Sequence, residues 1–178
     1  TTFNRPEITK KVLRQIEIVK PKRLYVSSDG PRKNHLKDSE KISQTRTLFD
    51  SLTWDCTVYT KFNTENLGCG AAMYEAITWF LENEEKGIIL EDDCWASEQF
   101  FHYCEILLKR YDMDSSVMHI SGFNICGRTD FGDDAYFSAM LGNVWGWASW
   151  RDSWRHYKYQ IEYCSSQKGM LLVVECCH

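Results

Sequence analysis

The chain has 178 residues and a formal net charge of −4, from 21 basic and 25 acidic residues. Its length and its 43% hydrophobic and 26% charged residues are typical of one globular domain with a sizeable core. The mildly acidic balance argues against broad electrostatic binding to nucleic acid, and no apolar run approaches the roughly 20 residues that a membrane-spanning helix needs.

Helical and strand patterns alternate along the chain. Pro6 opens an apolar stripe at helical spacing that runs to Val19 and stops before Pro21. The same periodicity predicts further helices at about residues 42–52, 72–84 and 97–111. Apolar or β-branched runs bounded by turn residues predict strands at 24–26, 56–60, 88–90, 117–120 and 136–139. This order predicts an α/β domain with a mostly parallel sheet, whose ligands bind outside the carboxyl ends of the strands.

The most distinctive stretch is the predicted strand 88–90 followed by Glu91, Asp92 and Asp93. Adjacent carboxylates raise one another's pKa unless a positive group lies nearby. Ligand sets made of oxygen favour a hard cation such as Mn2+ or Mg2+. If the segment is extended, Glu91 and Asp93 point to one side and Asp92 to the other. The alternative is that the acids open the next helix, where the N-terminal dipole favours negative charge.

Two more polar turns follow predicted strands: Asn4-Arg5 follows the tail of a strand at the start of the chain, and Ser28-Asp29-Gly30 follows the strand at 24–26. Arg5 is suited to a phosphate or a base carbonyl, and Asp29 is suited to accept hydrogen bonds from a nucleobase. A cation at Asp93 that holds a nucleoside diphosphate fits glycosyl transfer, because the metal stabilises the leaving group. No GxxxxGK[ST] motif occurs and no GxGxxG follows a strand, which argues against P-loop and Rossmann dinucleotide sites.

The eight cysteines show no CxxC pair and no Cys/His spacing typical of zinc ligands. Cys56 and Cys104 lie inside apolar patterns, where a free cysteine behaves as a small hydrophobe. We therefore expect reduced thiols in a cytoplasmic protein. The even count leaves a secreted disulfide-bonded protein as the alternative.

Together the motifs resemble a GT-A-fold glycosyltransferase, a nucleotide-diphospho-sugar transferase similar to bacterial family-2-like enzymes and, distantly, to the N-acetylglucosaminyltransferase I group. The matching segments, in the family's order, are Phe3-Asn4-Arg5-Pro6, Ser28-Asp29-Gly30, Asn66-Leu67-Gly68-Cys69-Gly70, Ile88-Ile89-Leu90-Glu91-Asp92-Asp93, Phe100-Phe101, Ile120-Ser121-Gly122-Phe123-Asn124 and Trp145-Gly146-Trp147-Ala148-Ser149-Trp150. The resemblance implies a Rossmann-like, three-layer GT-A domain over residues 1–159, incomplete at its ends. It also implies a nucleotide-sugar donor, a glycan or lipid-linked acceptor, and Mn2+ or Mg2+ as cofactor.

The resemblance further implies roles for individual residues. Asp93 matches the metal ligand. The residues that match the donor-binding positions are Arg5, Asp29, Asn66, Gly68, Glu91 and Asp92. Trp145 and Trp147 match the wall of the acceptor site, although tryptophans in such a run are equally typical of a core. We expect a cytoplasmic enzyme that inverts the anomeric centre, with peripheral attachment to the inner face of the membrane as an open alternative.

The expected general base has no clear match. Residues 160–178 do not resemble the family, and we expect the chain to be truncated at its start and truncated or divergent at its end. Asp152 is available as the base, but its place between Arg151 and Arg155 is typical of a surface ion pair. Two alternatives follow: a GT-A domain that binds nucleotide sugar or glycan without turnover, or a metal-dependent nucleotidyltransferase or phosphohydrolase that uses the same acids.

Overall fold

The computed structural model describes residues 1–124, 127 and 136–159, and the backbone of 172–176. The chain divides into two compact units. Unit 1 contains Thr1–Phe80 and Leu90–Glu98, and unit 2 contains Leu81–Ile89 and Gln99–His178. The helices are α1 (Pro6–Val19), α2 (Asp38–Thr47), α3 (Cys69–Asn83), α4 (Glu98–Arg110) and α5 (Arg151–Trp154). The strands are β1 (Arg23–Ser28), β2 (Thr57–Phe62), β3 (Lys86–Ile89), β4 (Val117–Ser121), β5 (Tyr136–Ala139), β6 (Trp147–Trp150) and β7 (Leu172–Cys176).

Unit 1 is built on a parallel pair of strands. β1 pairs with β2 so that Arg23 lies opposite Thr57 and Ser28 opposite Phe62. Thr2 adds a parallel bridge to Ser28, which places the start of the chain beside β1. α1 opens on Pro6, whose fixed φ suits a first turn, and packs against α2. The carboxyl ends of these strands therefore meet at one edge, and the polar turns that follow them come together there.

Unit 2 is built on a five-stranded sheet in the order β3-β6-β4-β7-β5. β4 and β7 are parallel, whereas β3–β6, β4–β6 and β5–β7 are antiparallel. One face of helix α4 supplies buried residues to the core of this unit. The core cluster consists of Cys104, Leu107, Leu108, Val117, Ile120, Ala148 and Trp150.

The α/β class is confirmed, and the predicted strands and helices lie close to the observed ones. The share of parallel pairing is smaller than the sequence predicts. The aromatic segment forms β6 and runs back between β3 and β4, and residues 172–176 of the predicted divergent tail form β7. α2 ends at Thr47 rather than near residue 52. Within the described part of the chain, no helix is long and apolar enough to cross a membrane.

Candidate functional site

The three acids that follow β3 form a turn rather than an extended segment. The Cys94 N–H donates to the Glu91 carbonyl oxygen at 3.1 Å. Asp92 is buried and Asp93 is half-exposed, and both carboxylates contact the same guanidinium. The expected alternation of Asp92 and Asp93 is therefore wrong, because the turn brings consecutive side chains to one partner.

That partner is Arg5, the residue before α1. Its Nη1 lies 2.9 Å from Asp93 Oδ2, its Nε lies 3.4 Å from Asp92 Oδ2, and its Nη2 donates to Asp92 Oδ1. The hydrogen bond to Asp92 is the main reason that the pKa of Arg5 is raised above its ordinary value. The Phe3 N–H also donates to Asp92, at 3.2 Å. Arg5 is thus the positive group that the acid cluster requires, and its side chain remains 42% exposed.

Glu91, the first acid of the turn, lies where its charged form is disfavoured. Burial raises the pKa of its carboxyl group, and the neighbouring charge of Asp93 raises it further. Arg5 pairs with two of the three carboxylates, Asp92 and Asp93, and Glu91 adds negative charge that suits a cation. Over the described residues, no group of three or more His, Cys, Asp or Glu side chains is arranged to hold a metal ion. An ion that takes one or two protein carboxylates and completes its shell with substrate phosphates and water still fits this site.

Asp29, at the end of β1, is buried and accepts five hydrogen bonds. The donors are the Gly30 N–H (2.9 Å), Leu67 N–H (3.0 Å), Gly68 N–H (3.2 Å), Asn63 Nδ2 (3.2 Å) and Asn66 Nδ2 (2.8 Å). A carboxylate offers about four lone-pair sites, so protein donors already occupy its accepting capacity. The predicted donor-binding residues Asp29, Asn66 and Gly68 are therefore brought together, with the carboxylate at the centre of the loop.

Two further features, Arg46 and Gly30, support this loop. The Arg46 guanidinium donates to Ser28 Oγ at 3.0 Å and to the Asn63 carbonyl at 2.8 Å, which ties the end of β1 to the residue after β2. Burial lowers the pKa of Arg46. Gly30 passes so close to the loop that a Cβ atom there would lie 2.5 Å from the backbone of Glu65. No motif marks Arg46, since its role depends on loop conformation.

A second polar network lies beside Asn4. Asp38, at the start of α2, accepts from Asn4 Nδ2 at 2.8 Å and from Arg32 Nε at 2.8 Å. The hydrogen bond from Arg32 holds the pKa of Asp38 well below its usual range. These residues border a surface cavity of about 410 Å3 whose lining is mostly basic or polar. The lining residues are Asn4, Arg32, Asn34, His35, Leu36, Lys37, Asp38 and Lys41.

The two candidate acceptor residues of unit 2 lie in different environments. Trp147 is buried in β6 and stacks on His119, with ring centroids 4.7 Å apart. Its Nε1 has no hydrogen-bond partner among the described residues. Trp145 is 59% exposed and meets Phe123 edge-on at 4.8 Å. A broad aromatic face is therefore open to solvent at Trp145, whereas Trp147 belongs to the core.

The structure also describes the candidate general base, Asp152, and four of the cysteines. Asp152 in α5 is 85% exposed and its Oδ1 lies 2.6 Å from Arg155 Nη1, as expected for the surface ion pair. The four cysteines with described side chains are not joined in disulfides: Cys56, Cys69, Cys94 and Cys104. The tail residues 160–171, 177 and 178 lie outside the described part of the chain.

The chain has a mixed α/β fold with a parallel pair of strands and a mixed five-stranded sheet. The chain is similar in structure to the mannosyltransferase PcManGT from Pyrobaculum calidifontis, which was solved in complex with GDP-Man and Mn2+. The TM-score is 0.51 at 17% sequence identity, over 84% of this chain and 42% of that chain, so the chain spans less than half the length of the mannosyltransferase. No protein-family model and no curated protein matches the sequence. The likeness supports the fold alone.

Proposed function

We propose that this chain forms the nucleotide-sugar-binding part of a metal-assisted glycosyltransferase, of the family-2-like type that its motifs resemble. The reaction moves a sugar from a nucleotide-diphosphate donor to a hydroxyl of a glycan or a lipid-linked acceptor. The observation that carries the proposal is the acid turn Glu91–Asp93 held by Arg5 at the strand-end edge of unit 1. The mannosyltransferase that shares the fold binds GDP-Man and Mn2+, which supports a nucleotide-sugar donor and a divalent ion.

In this proposal Asp93 holds Mn2+ or Mg2+ together with the donor diphosphate. When bound, the ion supplies stabilisation of the negative charge on the leaving diphosphate. Asp92 anchors Arg5, and three of the five guanidinium N–H groups donate to the two carboxylates. The remaining N–H groups are available to the diphosphate oxygens. Glu91 adds negative charge beside the ion, and its raised pKa falls when a cation is present.

The base and ribose are proposed to lie against the loop 63–68. Asp29 contributes by holding Asn66 and Gly68 in place, because its own oxygens are occupied. We expect the acceptor to contact the exposed face of Trp145. Trp147, at the start of β6, is buried in the core. Asp152 stays the candidate general base for the acceptor hydroxyl, with inversion expected from the resemblance. A cytoplasmic location is proposed because Cys56 and Cys104 lie in apolar sequence patterns, where reduced thiols are expected.

The metal assignment is tested by replacing Asp93 with alanine. Wild-type protein is expected to bind a nucleoside diphosphate about tenfold more tightly with Mn2+ than without, and the variant is expected to lose this dependence. Binding is measured by isothermal titration calorimetry after a thermal-shift screen of UDP-, GDP-, CMP- and dTDP-sugars. A ligand at a hundred times its dissociation constant adds about 2.7 kcal/mol of stability.

Asp55→Ala serves as the control, because Asp55 is an exposed acid of unit 1. An Asp93→Ala protein with undiminished Mn2+ dependence would reject Asp93 as the ligand. Binding without turnover is the second candidate, favoured by the pairing of Asp152 with Arg155. Consumption of a donor with a definite acceptor rejects that candidate, and release of pyrophosphate instead of nucleoside diphosphate points to nucleotidyl transfer.

A further inference from the structure

Trp95 is an exposed indole that directly follows the acid turn. Its side chain is 66% exposed, although tryptophan is highly buried on average. Its two neighbours, Cys94 and Ala96, are both buried. The backbone on either side of Trp95 is therefore held in unit 1 while the ring faces solvent. Burial of these neighbours restrains the position from which the indole projects.

Trp95 and Asp93 are both exposed and lie two residues apart in the segment that follows β3. From Asp92 to Ala96 the residues alternate between buried and exposed, with Asp93 and Trp95 as the exposed pair. Two residues of chain span at most about 7 Å even when fully extended. The backbones of Asp93 and Trp95 therefore lie within about 7 Å of each other, and both side chains reach solvent.

In a nucleotide-sugar donor, the group next to the diphosphate is a sugar ring. In a nucleotide sugar the pyranose ring begins one oxygen atom beyond the outer phosphate. A pyranose carries C–H groups on its ring faces, and these carry partial positive charge. The face of an indole carries partial negative charge and a large apolar area, so it attracts such a face. Trp95 has two side-chain torsions only, so ordering its ring costs little conformational entropy.

We propose that Trp95 is the stacking platform for the hexopyranose ring of the donor, next to the diphosphate held at Asp93. This inference rests on the proposed function, since it needs a donor diphosphate at the acid turn. Trp95 then contacts the sugar of the donor and not its nucleotide. It determines which donors bind by the continuity of C–H groups on the sugar face that it covers, and it orients the anomeric carbon without contacting the transferred bond.

The test compares two ligands on each variant. The dissociation constants of a nucleoside diphosphate and of the matching nucleotide hexose are measured by calorimetry with Mn2+ present, for wild type, Trp95→Ala and Trp95→Phe. Trp95→Ala is expected to weaken binding of the nucleotide hexose about three- to tenfold and to change binding of the diphosphate less than about twofold. Trp95→Phe keeps an aromatic face and is expected to restore most of the lost affinity.

Ile18→Ala is the matched control, because Ile18 is an exposed apolar residue on α1 of the same unit. It is expected to leave both affinities unchanged. Equal affinities of wild type and Trp95→Ala for the nucleotide hexose, or equal losses for both ligands, would overturn the role of Trp95 while the diphosphate site stands. If wild-type protein binds no nucleoside diphosphate at all, the proposed function fails and this inference fails with it.

Discussion

Replacing Asp29 by alanine is expected to lower the free energy of unfolding of unit 1 by about 3 kcal/mol. Five donors converge on this buried carboxylate, and the variant leaves them without their acceptor. Water can reach the more exposed end of the loop, near Leu67, and this keeps the cost below the sum of five lost bonds. Chemical denaturation measures the loss, and amide hydrogen exchange at Leu67 and Gly68 measures the loosening of the loop.

Two further variants sharpen the result. Asp29→Asn keeps the size of the side chain but turns one acceptor into a donor, so an intermediate loss is expected. Asp50→Ala removes an exposed acid of the same unit, and its effect is expected to stay within about 0.5 kcal/mol. If Asp29→Ala kept its stability and lost nucleotide affinity instead, direct contact between Asp29 and the base would replace the loop-holding role.

The stability of unit 2 is expected to fall as the pH drops from about 6.5 towards 4, because of His119. Burial lowers the pKa of this imidazole to about 4, against its ordinary value near 6.5. The unfolded chain therefore binds a proton in this pH range that the folded chain does not. The stabilisation from His119 is complete above pH 6.5 and is lost as the pH falls through the folded pKa. The loss amounts to roughly 3 kcal/mol.

The measurement is urea denaturation followed by tryptophan fluorescence between pH 4 and 7.5. His119→Phe keeps a ring against Trp147 but takes up no proton, so the difference between wild type and variant isolates this residue from the carboxylates. The exposed His102, replaced by glutamine, is the control and is expected to leave the wild-type slope in place. A His119→Phe profile as steep as that of wild type would contradict the assignment.

The strand-end positions of the candidate residues Arg5, Asp29 and 91–93 could be predicted from the sequence, whereas their role in a site stays a prediction. The carboxyl ends of neighbouring strands share one edge, so Arg5, Asp29 and the acids at 91–93 were expected close together, and all lie in unit 1. Strand and helix positions followed from periodicity, because apolar side chains must face a core. The hydrogen-bond and ion-pair partners of each residue could not be predicted from the sequence. The Arg5–Asp92 pair joins residues far apart in the chain, and its geometry depends on a turn that no motif encodes.

The hydrogen-bond partners of Asp29 could not be predicted from the sequence either. Its place at a strand end suggested an acceptor open to a ligand, but the loop after β2 folds over it and supplies the donors. The aromatic run around Trp147 was equally compatible with a core and with a binding wall. Burial, which depends on the whole sheet, places Trp147 in the core and leaves Trp145 exposed.

The position of β6 between β3 and β4 has a consequence for how the chain folds. β3 pairs with β6 through Ile89 opposite Trp147, and β4 joins the same strand through Ile120 opposite Ala148. During synthesis the apolar β3 emerges long before its partner, so its edge stays unpaired until the tryptophan-rich strand is made. Closing so long a loop costs chain entropy, which slows such non-local pairing. β1 and β2 can pair earlier during synthesis, because both strands are complete once Phe62 has been added.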